Sequence, residues 1–461
     1  MSDFLQLRPD EAPPKGLTAW LAGALRAAIT TGRLTPGAKL PATRLLAAEL
    51  AVSRGVVVDA YQRLVDEGLA TARTGAGTIV SAAPATPART TDRRRALAAI
   101  RLPLPPPDGI DIDLSPGVPD LAAFPRAAWL RAERAVFDEI TAADLGYGDP
   151  GGTPRLRTEL ASWLARVRGV RCEPDDVIVV GGVAQALALL AQTLHARNRT
   201  AVAVEDPGSR GARDQLAHWG VRPEAVPIDE QGLRVGALTQ DAALLTPAHQ
   251  FPTGVVLSPA RRRALLTWPG LIIEDDYDAE HRYDRAPVAA LQGSAPDHVA
   301  YCGSVSKSLA PGMRLGWLVA PRPMQAELLA AKHDSDLGNP ALPQLVLARL
   351  LASGDYERHL RTVRSRQRRR RDALLAGLRQ HLPGCRVTGV AAGLHLLIMT
   401  PGDTPDTVLA ERAAARTGVL VHPLSWHRME PGPPGLILGY AAQPPDRLAE
   451  AARRLASIMG P

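Results

Sequence analysis

Apolar residues recur at helical spacing from Leu17 to Ile29, and Gly32, Pro36 and Gly37 then break the pattern. A second helix is predicted from about Thr43 to Leu50, capped by Thr43 after Pro41 and presenting Leu45, Leu46 and Leu50 to one side. A third opens at Ser53 and buries Val56, Val57, Ala60, Tyr61 and Leu64. It ends at Gly68, where the missing Cβ relieves left-handed strain. LATARTGAGTIV then reads as two short β-prone runs about a glycine-containing turn. Helix, helix, turn, helix and hairpin thus describe one unit over residues 1–80.

Residues 81–110 are rich in proline and arginine and poor in bulky apolar residues, which predicts a linker with one short helix around 94–100. Beyond it, short apolar runs alternate with helical stretches: VIVV at 177–180, AVAVE at 201–205, ALLTP at 243–247, LIIEDD at 271–276, VAYCG at 299–303 and LGWLVA at 315–320. Strands apolar on both faces and separated by helices form a largely parallel sheet covered on both sides. After about 340 the pattern becomes a long Arg-rich helix, three shorter strands (GLHLLIMT, GVLVHPL, GLILGYA) and a terminal helix, which predicts a smaller α+β lobe. Residues 111–461 are expected to make one α/β domain with that lobe.

Composition narrows this picture. With 461 residues, 46% apolar and 22% charged, the chain is neither a disordered segment nor a small disulfide-stapled scaffold. Cys172, Cys302 and Cys385 show no CxxC or Cys/His spacing, so reduced thiols and no metal site are expected. The start MSDFLQLRPDEAPPKG has no apolar leader and no membrane-length apolar run follows, so a cytoplasmic protein without membrane partner is expected. The net charge of +7 permits a polyanionic partner, and residues 17–80 hold seven Lys/Arg against four Asp/Glu. Eight arginines fall between Arg358 and Arg371, a pattern that fits a solvated face of a long helix or a second nucleic-acid contact.

Ser53 and Arg54 sit in the first turn of the third helix, where a cap hydroxyl and a guanidinium can meet phosphate or base edges. Arg44 and, in the wing, Arg73 and Thr74 would grip the flanking backbone. Three amphipathic helices with scattered arginines also fit a protein-protein module. However, the stretch GRLTPGAKLPATRLLAAELAVSRGVVVDAYQRLVDEGLATARTGAGTIV resembles the winged helix-turn-helix of GntR-type repressors nearly end to end.

GSVSKSLAPGMRLGW, residues 303–317, places a lysine just after a strand, among serines and seven residues before an arginine. That arrangement suits a phosphorylated aldehyde, with the amine forming a Schiff base and hydroxyls and guanidinium holding phosphate. Three other stretches converge on it. LIIEDDYD ends a buried strand in carboxylates, and Asp275 suits a pyridine nitrogen. GGVAQALALLAQTL puts two glycines at a helix start, which attracts phosphate. TPAHQFPTG, with His249, offers polar groups to a ring oxygen. Taken singly, the acids also fit a solvated loop or a metal site, and the glycines a plain turn.

Together these stretches resemble fold type I aminotransferases, and the chain from about residue 17 to its end resembles the MocR/GabR family. The resemblance includes GVPDLAAFPRAAW at 117–129 and YGDPGGTPRLRTEL at 147–160. It implies a multidomain protein: an N-terminal winged helix-turn-helix and an α/β, fold type I aminotransferase-like domain that binds pyridoxal 5'-phosphate. It makes Lys307 the Schiff-base lysine, Asp275 the partner of the pyridine nitrogen and Tyr277 the neighbour of the ring hydroxyl. Ser304, Ser306, Arg314 and the amides of Gly182 and Val183 would hold the phosphate. Tyr147 would reach the phosphate across a homodimer interface. Two positions depart from the family: Ser209 stands where relatives often carry tyrosine, and Ile437 stands where aminotransferases usually have the arginine that clamps the substrate carboxylate. The effector would then meet His422, His427 or Arg428, or would not be an amino acid, with pyridoxal phosphate itself one option. The expected function is a regulator that binds operator DNA and senses a small molecule; the alternative is a working aminotransferase with an accessory DNA-binding unit.

Overall fold

The computed structural model describes residues 5, 7–14, 16–73, 77–81, 109–283, 288–389 and 391–459. The chain divides into two compact units, Met1–Leu104 and Pro105–Pro461. The expected linker helix, Arg93, Arg94 and Arg95 and the wing-turn residue Thr74 lie outside the described residues.

The first unit contains α1 (Leu17–Thr30), α2 (Thr43–Glu49), α3 (Arg54–Asp66) and a hairpin of β1 (Ala70–Arg73) with β2 (Gly77–Val80). Leu21, Leu25, Leu46, Val57 and Leu64 meet in its core. The Ser53 hydroxyl caps α3 by accepting from the Val56 amide at 3.4 Å. Arg26 of α1 forms an ion pair with Glu67 just beyond α3, closing the unit at its other end. Two details differ from the sequence reading. Ala42 occupies the cap of α2, and Thr43 is its first helical residue. Leu45 is 69% exposed, because successive helical residues point about 100° apart and the buried stripe of so short a helix runs through Leu46.

The second unit begins with β3 (Ile112–Asp113), α4 (Arg126–Glu139), α5 (Pro154–Arg168), β4 (Val177–Val180), α6 (Val183–Ala196), β5 (Ala201–Asp206) and α7 (Arg210–His218). It continues through β6 (Arg222–Asp229), β7 (Gly232–Leu233), β8 (Ala242–Leu245), α8 (Pro259–Leu266), β9 (Leu271–Asp275), β10 (Val299–Ser304) and β11 (Gly316–Val319). The eight strands from β4 form a single sheet ordered β4-β11-β10-β9-β8-β5-β6-β7. Its centre is parallel, as expected, while β11 runs antiparallel to both β10 and β4.

Helices α9 (Gln325–Asp336), α10 (Ala341–Ala352) and the long α11 (Asp355–His381) lead to the smaller lobe. There β12 (Arg386–Thr388), β13 (His395–Met399), α12 (Asp406–Arg412), β14 (Val419–Leu420), β15 (His422–Pro423), β16 (Gly435–Gly439) and α13 (Pro445–Met459) follow. Strands β12, β13, β16 and β15 pair antiparallel. The arginines of α11 serve both sides of the helix. Arg366 and Arg370 hold the buried Asp120 carboxylate at 2.6 and 2.7 Å and Arg364 donates to the Glu280 carbonyl, whereas Arg361, Arg368 and Arg369 face solvent. No helix among the described residues is long and apolar enough to cross a membrane.

The deepest ion pair among the described residues joins α5 to the end of β9. Arg168 donates to both carboxylate oxygens of Asp276 at 2.6 and 3.1 Å, both side chains are 1% exposed, and the Tyr301 hydroxyl donates to the same carboxylate at 2.5 Å. Arg168→Leu strips a buried carboxylate of its counter-charge. It should cost about 3–5 kcal/mol, read as a lower denaturant midpoint for the second unit at pH 7; an unchanged midpoint would mean that water or a neighbour takes the guanidinium's place.

Candidate functional site

The carboxyl ends of β4, β9 and β10 open onto one cavity of about 450 Å³, where ligands of parallel α/β sheets characteristically lie. Four acids follow one another along and just past β9, and their surroundings sort them. Glu274 accepts from the amides of Leu291 and Gln292, Asp276 is bound to Arg168, and Asp278 lies 2.8 Å from His249 Nδ1. Asp275 lines the cavity, and its buried Oδ1 has no hydrogen-bond partner among the described residues. Burial, reinforced by the neighbouring Asp276 and Asp278, pushes its carboxyl up to about 7.

Lys307 follows β10 and reaches the same cavity. Its Nζ donates to the Gly117 carbonyl at 2.6 Å. Burial lowers its pKa against the opposing pull of Asp278 and Asp275, which favours the neutral, nucleophilic amine. Gly117 has φ +82, and a Cβ there would come within 3.0 Å of the amine. Only glycine allows that carbonyl to sit so close. Tyr277 lines the cavity with its hydroxyl 3.1 Å from His249 Nδ1. Burial, then the Asp278 carboxylate, raises the phenol far above its ordinary value, so it remains a neutral hydroxyl.

Gly182 turns the chain from β4 into α6 with φ +108, and Gly182, Val183 and Ala184 at the start of this 14-residue helix line the cavity. The Arg314 guanidinium packs on this turn, 3.4 Å from where a Gly182 Cβ would be. Ser304 and Ser306 line the same end, the Ser304 hydroxyl accepting from the Ser306 amide at 3.3 Å. Hydroxyls, a guanidinium and helix amides together suit a phosphate-sized anion.

Lys307, Asp275, Tyr277, Ser304, Ser306, Arg314, Gly182 and Val183 are therefore gathered around one space. Three residues of the sequence reading are not. His249 is buried behind Tyr277 and does not line the cavity. Tyr147 is 87% exposed and lies outside the cavity of its own chain. Arg428, weighed as an effector contact, donates to the Pro433 carbonyl and stays outside as well. His422 and His427 do line it, as do Phe251 and His395, which the sequence reading did not single out. The alternation of β13 held a signal for His395, the one polar residue in HLLIM. Ser209 lines the cavity while its hydroxyl caps α7, accepting from the Ala212 amide at 3.3 Å. Ile437 is fully buried in β16, paired with Leu397 and His422, and its neighbours Leu436 and Leu438 turn into the core behind.

In the first unit Arg44, Ser53, Arg54 and Arg73 are all exposed. Arg54 Nε lies 3.4 Å from the Thr43 hydroxyl, which sets the start of α3 beside the start of α2.

Comparison with known proteins follows the division into two units. The family of bacterial regulatory proteins of gntR type matches residues 17–80, and that of aminotransferase class I and II matches residues 110–455. The HTH-type pyridoxine biosynthesis transcriptional regulator PdxR of Corynebacterium glutamicum is 35% identical over 454 residues, 96% of each chain. The probable rhizopine catabolism regulatory protein MocR of Rhizobium meliloti is 33% identical, over 94% of this chain and 92% of that one. Among solved structures, a kynurenine aminotransferase of Pyrococcus horikoshii superposes with TM-score 0.70 at 25% identity, covering 81% of this chain and 95% of that one.

The Asp275 carboxyl gives a pH-dependent prediction. Its pKa is about 7 when folded, against about 3.9 unfolded. Between these values the unfolded chain has lost the proton and the folded one keeps it, so this group's contribution to stability falls as pH rises from about 4 to 7. Asp275→Asn removes that fall. Without ligand it should exceed the parent's stability by on the order of 1–3 kcal/mol at pH 8 and by little at pH 4, measured by denaturant unfolding. Equal stabilities at pH 8 would show that the carboxylate is already partnered.

Proposed function

The chain belongs to the MocR-type family of transcriptional regulators, in which a GntR-type winged helix-turn-helix is joined to an aminotransferase class I and II domain; on that premise we propose that it is a homodimeric, cytoplasmic regulator that binds operator DNA through residues 17–80 and holds pyridoxal 5'-phosphate on Lys307 to sense a small molecule. The observation that carries this reading is the convergence of a desolvated lysine, a carboxylate with a buried, unpartnered oxygen and a helix amino terminus on one cavity, in a chain that also carries a GntR-type unit.

The residues present fit the cofactor. Asp275 supplies the carboxylate that a protonated pyridine nitrogen would satisfy, and Tyr277 a hydroxyl for the ring oxygen. Ser304, Ser306, Arg314 and the amides of Gly182 and Val183 supply the phosphate cradle. Tyr147, exposed in one subunit, is positioned by this reading to reach the partner's site. Pyridoxal phosphate, when bound, supplies an aldehyde for amines and an electron-withdrawing ring. The protein's part is to lower the proton affinity of the Lys307 amine by burial and to hold Asp275 ready for a cation. On the DNA side, Arg54 at the start of α3 reads base edges in the major groove, while Arg44, Arg73 and Thr74 meet phosphates. The segments 1–80, 81–110 and 111–461 serve as DNA-binding unit, linker and sensing domain.

Full-length protein titrated with pyridoxal phosphate should take up one equivalent per subunit of a dimer, with the visible absorbance of lysine-bound cofactor. Lys307→Ala should lose that band; its absence from the parent protein would overturn the cofactor assignment. In a mobility-shift assay with DNA from upstream of its own gene, Arg54→Ala should weaken binding about 5- to 150-fold, the ~1–3 kcal/mol of a base contact. Unchanged affinity and specificity would remove Arg54 from the readout.

A further inference from the structure

Beyond Lys307 the cavity is walled by aromatic rings. Phe251 meets His395 and His427 edge-on, each at 5.0 Å between centroids, and His422 lies stacked near His427 with the planes 17° apart. All four residues line the cavity. Edge-on and offset rings of this kind form a box into which another flat ring packs well. The imidazoles stay uncharged at neutral pH, since burial pushes His427 down to about 3 and His395 down to about 4 and lowers His422 as well. Both ring nitrogens of His427 are buried without a hydrogen-bond partner among the described residues.

Charged side chains are few. Among the described residues that line the cavity they are Asp275, Lys307 and Arg314, the groups already assigned to the cofactor. The nearby guanidinium of Arg213 is turned to the backbone oxygens of Gly208, His427 and Trp426, and it does not line the cavity. Ile437, paired with His422, is fully buried against Leu397 and Leu424 and does not line the cavity, so it brings no charge there. A carboxylate brought into this chamber would lose its water and gain no cation, which is strongly unfavourable.

We propose that the chamber receives a small aromatic amine that carries no carboxylate, its ring in the box of Phe251, His395 and His427 and its nitrogen toward Lys307. This rests on the reading of the cavity as a pyridoxal phosphate and effector site, which makes the Lys307 end the place for amine chemistry. Selection against amino acids then comes from desolvation: phenethylamine and L-phenylalanine share ring and amine and differ in the carboxylate alone.

The test is calorimetric titration of full-length protein loaded with pyridoxal phosphate, comparing those two compounds. Phenethylamine should bind at least about tenfold more tightly. His422→Arg, at a half-buried position on the cavity wall, should supply the missing cation and bring L-phenylalanine level with the amine or ahead of it. Equal or tighter binding of L-phenylalanine to the parent, binding of neither compound, or an unchanged preference in a folded His422→Arg protein would each overturn the proposal. Loading is read first from the Lys307-dependent visible band. A parent protein that does not load overturns the underlying cofactor reading, whereas a loaded protein that prefers the amino acid overturns this proposal alone.

Discussion

Asp276 is held from both sides by Arg168 and Tyr301, and this buried arrangement fixes the end of β9. Successive residues of a strand point to opposite faces, so anchoring Glu274 and Asp276 behind the sheet leaves Asp275 facing the cavity. The result is a carboxylate with one buried oxygen left without a partner, a state that proteins normally avoid. Its cost is tolerable because the surrounding fold over-determines it. Such sites are where a ligand's charge is expected. Lys307, held to the Gly117 carbonyl, is the second member of the same device.

Two groups of cavity-lining residues follow different physics. Near Asp275 and Lys307, polar groups converge and low dielectric makes each interaction strong. Around Phe251, His395 and His427, neutral rings replace charge, and selectivity comes from what cannot be desolvated there. Ile437 pairs with His422 in the sheet and is buried with Leu397 and Leu424, so this strand brings no charge to the rings.

Much of this was legible in the sequence. Helical spacing located α1 and α3, and apolar runs located β4, β5, β9, β10 and β11, because those segments are buried on one stripe or on both faces. The residues that GSVSKSLAPGMRLGW and LIIEDDYD single out, Lys307, Arg314 and Asp275 among them, line one cavity. What escaped was tertiary. Leu45 satisfies the helical pattern yet faces solvent, since a seven-residue helix has one narrow buried stripe. The α11 arginines read as a solvated run, but Arg366 and Arg370 neutralise Asp120 nearly 250 positions away in the chain, a pairing no local pattern encodes. His395 and Phe251 join the site only when the smaller lobe and the large sheet close on the cavity.

The central claim is that cofactor held on Lys307 is felt by the DNA-binding unit. Fluorescence anisotropy of operator DNA, titrated with full-length protein at fixed ionic strength with and without saturating pyridoxal phosphate, measures that coupling directly. Coupling free energies between sites are typically about 1–3 kcal/mol, so the two curves should separate by roughly 5- to 150-fold, and the separation should vanish in Lys307→Ala. Superimposable curves from a parent protein that demonstrably carries the cofactor would contradict the account.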